Sequence, residues 1–282
     1  MIIVKVWGGV GNQLFQFVFG QYLHYKYGFE VRYDDNSYVS NDSLRKSELL
    51  ALDHQILFDN SCVFSKYRGV RNRLLRLLFQ FNQRHHFIAE GGLIPDLYKE
   101  NDLYFFQGYW QDYKYYQWLK EHVSDFHIAS KGMPEVLQPV ISQIQGTDES
   151  VSVHVRRGDY FKPENIKKYG VCDAKYFGNA FQQIEQSINN PRFFIFSDDL
   201  DWVKNNLKLP QHSILIPNYD IEQFLYIELM SLCKHHIISN SSFSWWGAVL
   251  NASENGVVVA PSKWVMGNEK SIARHEWVKI LV

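Results

Sequence analysis

The sequence predicts an α/β protein with two Rossmann-like halves, and two features of the chain support this. Residues 1–40 read as strand, turn, helix and strand, which is the opening of an α/β unit. In the second half, short apolar runs alternate with helical patterns, as they do around a mostly parallel sheet. A polar stretch with proline and glycine at residues 131–150 separates the halves, so we expect domains at 1–145 and 146–282.

The first half opens with an apolar strand at Ile2–Val6 and a glycine turn at residues 8–11. Apolar residues at helical spacing then predict a helix over Leu14–Tyr25, which ends near Gly28. A second strand follows at Phe29–Tyr33. The pattern of residues 40–130 is less regular and favours helices.

Aromatic residues make up 16% of the chain and crowd the stretch 104–118. Aromatic rings fill cores, and they also offer flat surfaces to sugars and bases. We therefore expect any aromatic contact with a sugar to fall in this stretch, with Tyr109 and Trp110 as the first candidates and Gln111 beside them.

The second half contains the clearer alternation of strands and helices. Its apolar runs predict strands at Val151–Val155, Phe193–Phe196, Ile214–Ile216, His236–Ser239 and Val257–Ala260. Its helical patterns predict helices at Ala174–Ile188, Leu200–Leu207, Glu222–Leu232 and Phe243–Leu250.

Four of these strands end in polar clusters, at residues 154–160, 197–199, 240–247 and 261–264. Ligands of parallel α/β sheets bind beyond the carboxyl ends of the strands. We therefore expect the clusters to share one crevice.

The first cluster contains two consecutive arginines, Arg156 and Arg157. A guanidinium presents a planar fork of donors that matches phosphate oxygens, so the pair is a candidate site for a diphosphate leaving group. Strand alternation puts His154 and Arg156 on one side of the sheet, opposite Val155. The structural alternative is an ion pair with Asp159, or a solvated turn.

Asn240, Ser241 and Ser242 precede the helical pattern that includes Phe243. These residue types cap helix N-termini, and a helix N-terminus also binds phosphate through its free amides. Both roles are compatible, so all four residues are candidates for nucleotide binding.

The cluster Ser197, Asp198 and Asp199 offers two carboxylates at a strand end. They suit a metal ion, a ribose or the edge of a base. The structural alternative is that Asp199 caps the following helix.

The opening turn partly matches a dinucleotide-binding loop. Gly9 and Gly11 allow close approach of the backbone to an anionic ligand, and Asn12 and Gln13 add polar groups at the helix start. Leu14 stands where the third glycine belongs, so the match is incomplete. It nevertheless leaves an NAD-dependent oxidoreductase as an alternative function.

Composition and charge exclude several other classes. The formal net charge of −1 disfavours a nucleic-acid binder, and the three scattered cysteines form no disulfide framework or zinc motif. The sequence shows no signal-peptide pattern and no apolar run of about 18 residues, so we expect a cytoplasmic protein. A basic amphipathic stretch at 71–84 suits either a solvated helix or the inner membrane face.

Five motifs, taken together, resemble the bacterial α-1,2-fucosyltransferases of glycosyltransferase family 11. They are residues 8–16 (GGVGNQLFQ), 108–111 (GYWQ), 154–160 (HVRRGDY), 197–199 (SDD) and 240–247 (NSSFSWWG). They occur in the family's order and span nearly the whole chain, and HVRRGD and SSFSWWG are the specific ones.

The resemblance implies a GT-B-type architecture, with two Rossmann-like halves facing a central cleft. It also implies an inverting enzyme that needs no metal ion or other cofactor. The donor would be GDP-β-L-fucose, the acceptor would be the 2-hydroxyl of a terminal galactose in a surface glycan, and no nucleic acid would be involved. A non-catalytic carbohydrate-binding protein is the remaining alternative.

The resemblance also suggests roles for individual residues. Arg156 and Arg157 would meet the diphosphate, with His154 beside the nucleotide, and Asp159 is our candidate for the base. Tyr226 stands where relatives often have an acidic residue that reads guanine, and Glu222 and Glu228 lie near it in the sequence, so the guanine-reading residue is not assigned.

Overall fold

The computed structural model describes residues 1–40, 46–60, 85–92, 102–158, 172–253, 255–265 and 271–282. The chain divides into two compact units, Met1–Ala129 and Ser130–Val282. The predicted boundary at residue 145 therefore lies inside the second unit. Residues 130–145 look like a linker in composition, yet Leu137 and Ile144 are buried, each at most 1% exposed, and tie this segment to the second unit.

The sheet of the first unit has four parallel strands in the order β2-β1-β4-β3. The strands are β1 (Ile2–Lys5), β2 (Val31–Asp34), β3 (His85–Ala89) and β4 (Leu103–Gln107). The helices are α1 (Val10–Tyr27), α2 (Ser37–Ser40) and α3 (Tyr113–His122), with a 3-10 turn at Leu49–Ala51.

Helix α1 confirms the predicted strand–turn–helix–strand opening. It is buried along most of its length, from Val10 to Leu23, so it packs on several sides. It ends at Gly28, whose φ of 73° is left-handed and whose N–H donates to the carbonyl of His24 at 2.8 Å. Glycine adopts this conformation without strain and commonly ends helices this way.

The helical interpretation of residues 40–130 is wrong at β3 and β4. Tyr104, Phe105 and Phe106 of β4 are buried, and the strand lies between β1 and β3. A strand covered on both faces carries a continuous apolar run. Such a run has no two-residue period, so its pattern does not distinguish it from a buried helix.

The sheet of the second unit has six parallel strands in the order β10-β9-β8-β5-β6-β7. The strands are β5 (Ser150–Val155), β6 (Arg192–Ser197), β7 (Ile214–Leu215), β8 (His235–Ile237), β9 (Val258–Pro261) and β10 (Val278–Ile280). The helices are α4 (Gln138–Gln145), α5 (Ala174–Ser187), α6 (Leu200–Asn206), α7 (Gln223–Ser231) and α8 (Ser242–Val249), with a 3-10 turn at Glu135–Leu137.

The strands and helices predicted for the second half are confirmed, with small shifts at their ends, whereas β10 was not predicted. On β5, Val151, Val153 and Val155 pack into an apolar cluster with residues of α5. Their spacing puts His154 on the opposite face, as predicted. In the described part of the chain, no helix is both long and apolar enough to cross a bilayer.

Candidate active site

The polar clusters of the second unit meet at one edge of its sheet. Strands β8, β5 and β6 are neighbours and run parallel, so their carboxyl ends lie together. Arg156 and Arg157 follow β5, Asp198 and Asp199 follow β6, and Ser239 lies just after β8. The structure thus brings the predicted clusters after these strands to one place.

Asp198 holds the two arginines. Its Oδ2 accepts a hydrogen bond from Nη1 of Arg156 at 2.7 Å, and its Oδ1 accepts from the backbone N–H of Arg157 at 2.8 Å. A Cβ at Gly158 would lie 2.5 Å from Asp198 Oδ2, which is closer than real Cβ contacts. Glycine at 158 therefore leaves room for the carboxylate.

Arg157 lies over the ring of Trp202, with its guanidinium carbon 3.7 Å from the ring centroid. Its side chain is 12% exposed, and its Nε lies 4.0 Å from Oδ2 of Asp199. Burial lowers the pKa of Arg157, and the charges of Asp199 and Asp198 oppose that shift. The ring restricts the orientation of the guanidinium plane.

Two serine hydroxyls join the strand ends. Ser239 Oγ donates to the carbonyl of His154 at 2.6 Å and accepts from the N–H of Arg156 at 3.2 Å. Ser197 Oγ donates to the carbonyl of Val155 at 2.9 Å and accepts from the N–H of Asp199 at 3.0 Å. Ser197, a predicted nucleotide contact, thus fixes the backbone next to the arginines.

Asp199 caps α6, because its carboxylate accepts the N–H of Trp202 at 3.0 Å. The structural alternative stated for Asp199 is therefore confirmed. In the described residues, no group of three or more histidine, cysteine or acidic side chains lies close enough to hold a metal ion.

Helix α8 begins at the same sheet edge. Ser241 is its N-cap and accepts from the N–H of Phe243 at 3.3 Å, as the capping pattern predicts. Asn240 is buried, and its Nδ2 donates to the carbonyl of Trp264 at 3.3 Å, after β9. The start of α8, at Ser242, adds the positive end of a helix dipole beside the arginines.

A cavity of about 230 Å³ lies against these groups. Its walls come from the ends of β5, β6 and β7 and from the starts of α7 and α8. They are lined by His154, Arg156, Phe196, Ser197, Asp198, Ile216, Asn218, Tyr219, Gln223, Tyr226 and Phe243.

His154 lines this cavity as a neutral imidazole. Burial, and then the charge of Arg156, lower its pKa to about 3. Its ring lies 5.0 Å from that of Phe243. Its Nδ1 is buried and has no hydrogen-bond partner among the described residues, and a buried polar atom beside a cavity indicates a ligand contact.

The cavity wall around Tyr226, the position at which the resemblance implies an acidic residue, carries the amide and phenol side chains of Asn218, Gln223 and Tyr219. Tyr226 lines the cavity, and its hydroxyl accepts from the N–H of Tyr219 and donates to the carbonyl of Pro217 at 3.3 Å. Burial raises the pKa of Tyr226. Glu228 instead accepts from the N–H of Ser130 at 2.8 Å.

Sequence reasoning missed Asn218, Tyr219 and Gln223. They follow β7, and the strand-end rule that found the other clusters would also have found them.

Most residues of the predicted nucleotide-binding loop are buried in the first unit or bond to other residues of that unit. Gln13 is 1% exposed, and its side chain donates to the carbonyls of Gly8 and Lys46 and accepts from the N–H of Glu48. Gly11 is also buried, and Gly9 is the N-cap of α1. The Gln13 amide thus bonds three backbone groups, which gives it a structural role, and its predicted contact with a ligand stays a prediction.

The three residues predicted to contact the acceptor, Tyr109, Trp110 and Gln111, differ in their exposure. Trp110 is 4% exposed and stacks on Phe19 with ring centroids 4.1 Å apart, so its ring belongs to the core. The structure gives the Trp110 ring a packing role, and its predicted contact with a sugar stays a prediction. Tyr109 and Gln111 are partly exposed, and Gln111 Nε2 donates to Oδ1 of Asn12 at 2.8 Å.

Asp159, the predicted base, and the basic stretch 71–84 both lie outside the described residues. Their predicted roles stay predictions.

Comparison with known proteins decides the family. The model of glycosyl transferase family 11 matches residues 95–281, which is more than half of the chain. The chain belongs to glycosyltransferase family 11. Its relatives include the Escherichia coli α-1,2-colitosyltransferase, which is 27% identical over 99% of both chains.

Two further relatives come from a bacterium and a mammal. The E. coli O-antigen biosynthesis glycosyltransferase WbnK is 28% identical over 97% of this chain and 98% of that protein. The mouse galactoside 2-α-L-fucosyltransferase Sec1 is 25% identical over 51% of this chain and 49% of that protein.

Among solved structures, the fucosyltransferase NodZ from Bradyrhizobium is similar in fold. The TM-score is 0.55 at 10% identity, and the match covers 88% of this chain and 92% of NodZ. This likeness, with the two parallel sheets, confirms the predicted α/β fold of GT-B type.

Proposed function

We propose that this family 11 glycosyltransferase is an inverting α-1,2-fucosyltransferase. It moves L-fucose from GDP-β-L-fucose to the 2-hydroxyl of a terminal galactose in a surface glycan. The observation that carries the proposal is the arginine pair at the end of β5, which Asp198 holds beside a cavity at the carboxyl edge of the sheet. The names of the E. coli and mouse relatives support α-1,2 transfer.

The transfer breaks the bond from the anomeric carbon to the β-phosphate oxygen and forms a bond to the acceptor oxygen. Negative charge grows on the leaving GDP, and fixed guanidinium donors stabilise it most where they need no reorganisation. Arg156 supplies the donors in this proposal, and the arginine stacked on Trp202 adds a second charge. The acceptor proton goes to a base, for which Asp159 remains our candidate.

His154 then acts as a neutral hydrogen-bonding group beside the nucleotide. With a pKa of about 3 it carries no charge at neutral pH, so it does not add to the positive field. The arginines and the start of α8 meet the charge of the diphosphate, and the proposed reaction requires no metal ion.

A colitose donor is the second candidate, because a relative matched over nearly its full length is named an α-1,2-colitosyltransferase. Colitose lacks the 3-hydroxyl of L-fucose, so the two donors differ by one polar group. A site that hydrogen-bonds this hydroxyl would reject the donor that lacks it.

The test is GDP release by the purified chain with GDP-fucose or GDP-colitose, with and without a panel of galactosides. We expect acceptor-dependent release with GDP-fucose, retention of the rate in EDTA, and a 1→2 linkage in the product by NMR. Release that requires GDP-colitose would select the second candidate. No release with either donor across the panel would refute both.

The same preparation tests the rival functions and the proposed location. Titration with NADH is expected to show no binding, and binding of a galactoside without any transfer would indicate a sugar-binding protein. We also propose a cytoplasmic enzyme that acts on lipid-linked glycans and contacts the inner membrane face through residues 71–84. Co-sedimentation with liposomes that ignores their anionic lipid content would contradict that contact.

A further inference from the structure

Two aromatic rings lie side by side at the carboxyl edge of the first unit's sheet. Trp7 follows β1 and Tyr109 follows β4, and their ring centroids are 5.0 Å apart with planes tilted by 35°. Both residues are partly exposed, and the buried Lys5 places its ammonium 5.2 Å from the Trp7 ring centroid. Strands β1 and β4 are parallel neighbours, so the rings lie where open α/β sheets bind ligands.

Two amide side chains border these rings. Gln111 Nε2 donates to Asn12 Oδ1 at 2.8 Å. Within the described part of the chain, Gln111 Oε1 and Asn12 Nδ2 bond to no other protein group, so the pair offers one acceptor and one donor. Gly8 lies between the Asn12 amide and the Tyr109 ring. A Cβ at Gly8 would be 3.0 Å from Asn12 Nδ2 and 3.4 Å from the Tyr109 ring.

The turn that carries Tyr109 is held by a carboxylate. Glu90, which follows β3, accepts from the N–H of Tyr109 at 2.8 Å and from the N–H of Trp110 at 3.0 Å. Trp110 has a φ of 55°, a left-handed conformation that is uncommon for a residue of this size. Such a conformation persists where the surroundings fix it, and these places are enriched at ligand sites.

We propose that Trp7, Tyr109, Asn12 and Gln111 form the subsite for the acceptor sugar, which rests on the proposed glycosyl transfer. A pyranose has an apolar C–H face that packs on aromatic rings and equatorial hydroxyls that pair with amides. Amides suit these neutral hydroxyls, whereas the arginines of the second unit suit phosphate.

The experiment measures initial rates of the full chain against methyl β-D-galactopyranoside and, separately, against the sugar nucleotide. Trp7→Ala is expected to raise the acceptor KM about tenfold, as loss of one aromatic contact does, with the donor KM within about twofold of wild type. Trp7→Leu keeps apolar volume without a flat ring, and it replaces Trp7→Ala if that variant does not fold.

Trp118→Ala is the matched control. Trp118 is a partly exposed tryptophan of the same unit, on α3, where it stacks on His122 with ring centroids 4.5 Å apart. We expect its acceptor KM to stay within about twofold of wild type. An acceptor KM of both Trp7 variants within twofold of wild type would overturn the subsite, and so would an equal rise in the donor KM.

Saturation-transfer NMR with methyl β-D-galactopyranoside separates this inference from the proposed function. If the wild type transfers no sugar, the proposed function fails, yet the subsite still predicts a signal that Trp7→Ala removes and Trp118→Ala keeps. Absence of a signal with the wild type, or its persistence in the Trp7 variants, would overturn the subsite.

Discussion

Replacing Arg156 with alanine tests the candidate active site most directly. The Arg156 guanidinium pairs with Asp198 at 2.7 Å, and the two side chains are 29% and 27% exposed. Loss of a partly exposed pair of this kind changes the free energy of unfolding by about 1 kcal/mol or less. The folded state should therefore survive the substitution.

The effect on catalysis should be much larger. Two charge-assisted hydrogen bonds from the Arg156 fork to the leaving phosphate contribute roughly 1.5 kcal/mol each at the low end, and their loss lowers kcat/KM by about 150-fold. Arg156→Lys keeps the charge without the planar fork, so we expect a loss of about tenfold.

The assay is GDP release under limiting donor, with thermal unfolding as the check on folding. Arg192→Ala is the control, because Arg192 is an exposed arginine at the opposite end of the same sheet, where β6 begins. A kcat/KM of Arg156→Ala within about threefold of wild type would refute the role in the leaving group. An equal loss in Arg192→Ala would show that the effect is not local.

Three other outcomes follow from the same region and from the core. Gly158→Ala places a Cβ 2.5 Å from Asp198 Oδ2, so we expect kcat/KM to fall at least about tenfold as the carboxylate moves; unchanged kinetics would mean that the carboxylate does not position the arginines. Trp202→Leu removes the ring under Arg157 and should raise the donor KM several-fold, measured in the same assay, while Trp202→Phe retains most of the affinity. Burial lowers the pKa of His236 to about 3, so the folded state binds fewer protons than the unfolded state between about pH 3 and 6.5, and stability falls as the pH drops through that window. His236→Gln should reduce the pH slope of the unfolding free energy by up to about 1.4 kcal/mol per pH unit. Urea titrations at pH 5 and pH 6 measure this slope, and the same change in unfolding free energy between the two pH values for the variant and the wild type would contradict the prediction.

Much of the second unit follows from its sequence because each strand is a short apolar run that ends in polar residues. Arg156, Arg157 and Asp198 were all found by that rule. The pairing of the arginines with Asp198 was not predicted, since Asp159 is the nearest carboxylate along the chain. The pairing with Asp198 depends on β6 lying beside β5, and strand order is set by packing across the whole sheet rather than by local pattern.

The first unit was harder to predict for a different reason. Tyr109 and Trp110 are consecutive aromatic residues, and the composition of this stretch predicts a sugar contact equally for both. The left-handed turn at Trp110 sends its ring onto Phe19, and Tyr109 stays partly exposed beside Trp7. Nothing in the local pattern specifies that turn, which requires the carboxylate of Glu90 from a different strand.

The cavity of the second unit has two walls of different origin. The side with the arginines is fixed by bonds between strand ends, whereas Asn218 and Tyr219 follow β7 and Gln223 begins α7. Substitutions at these three positions can change the shape of the cavity without removing any bond that holds the arginines. Under the proposed function, donor preference can diverge during evolution while the arginines are conserved, and exchange of this short segment is a route to enzymes that use other sugar nucleotides.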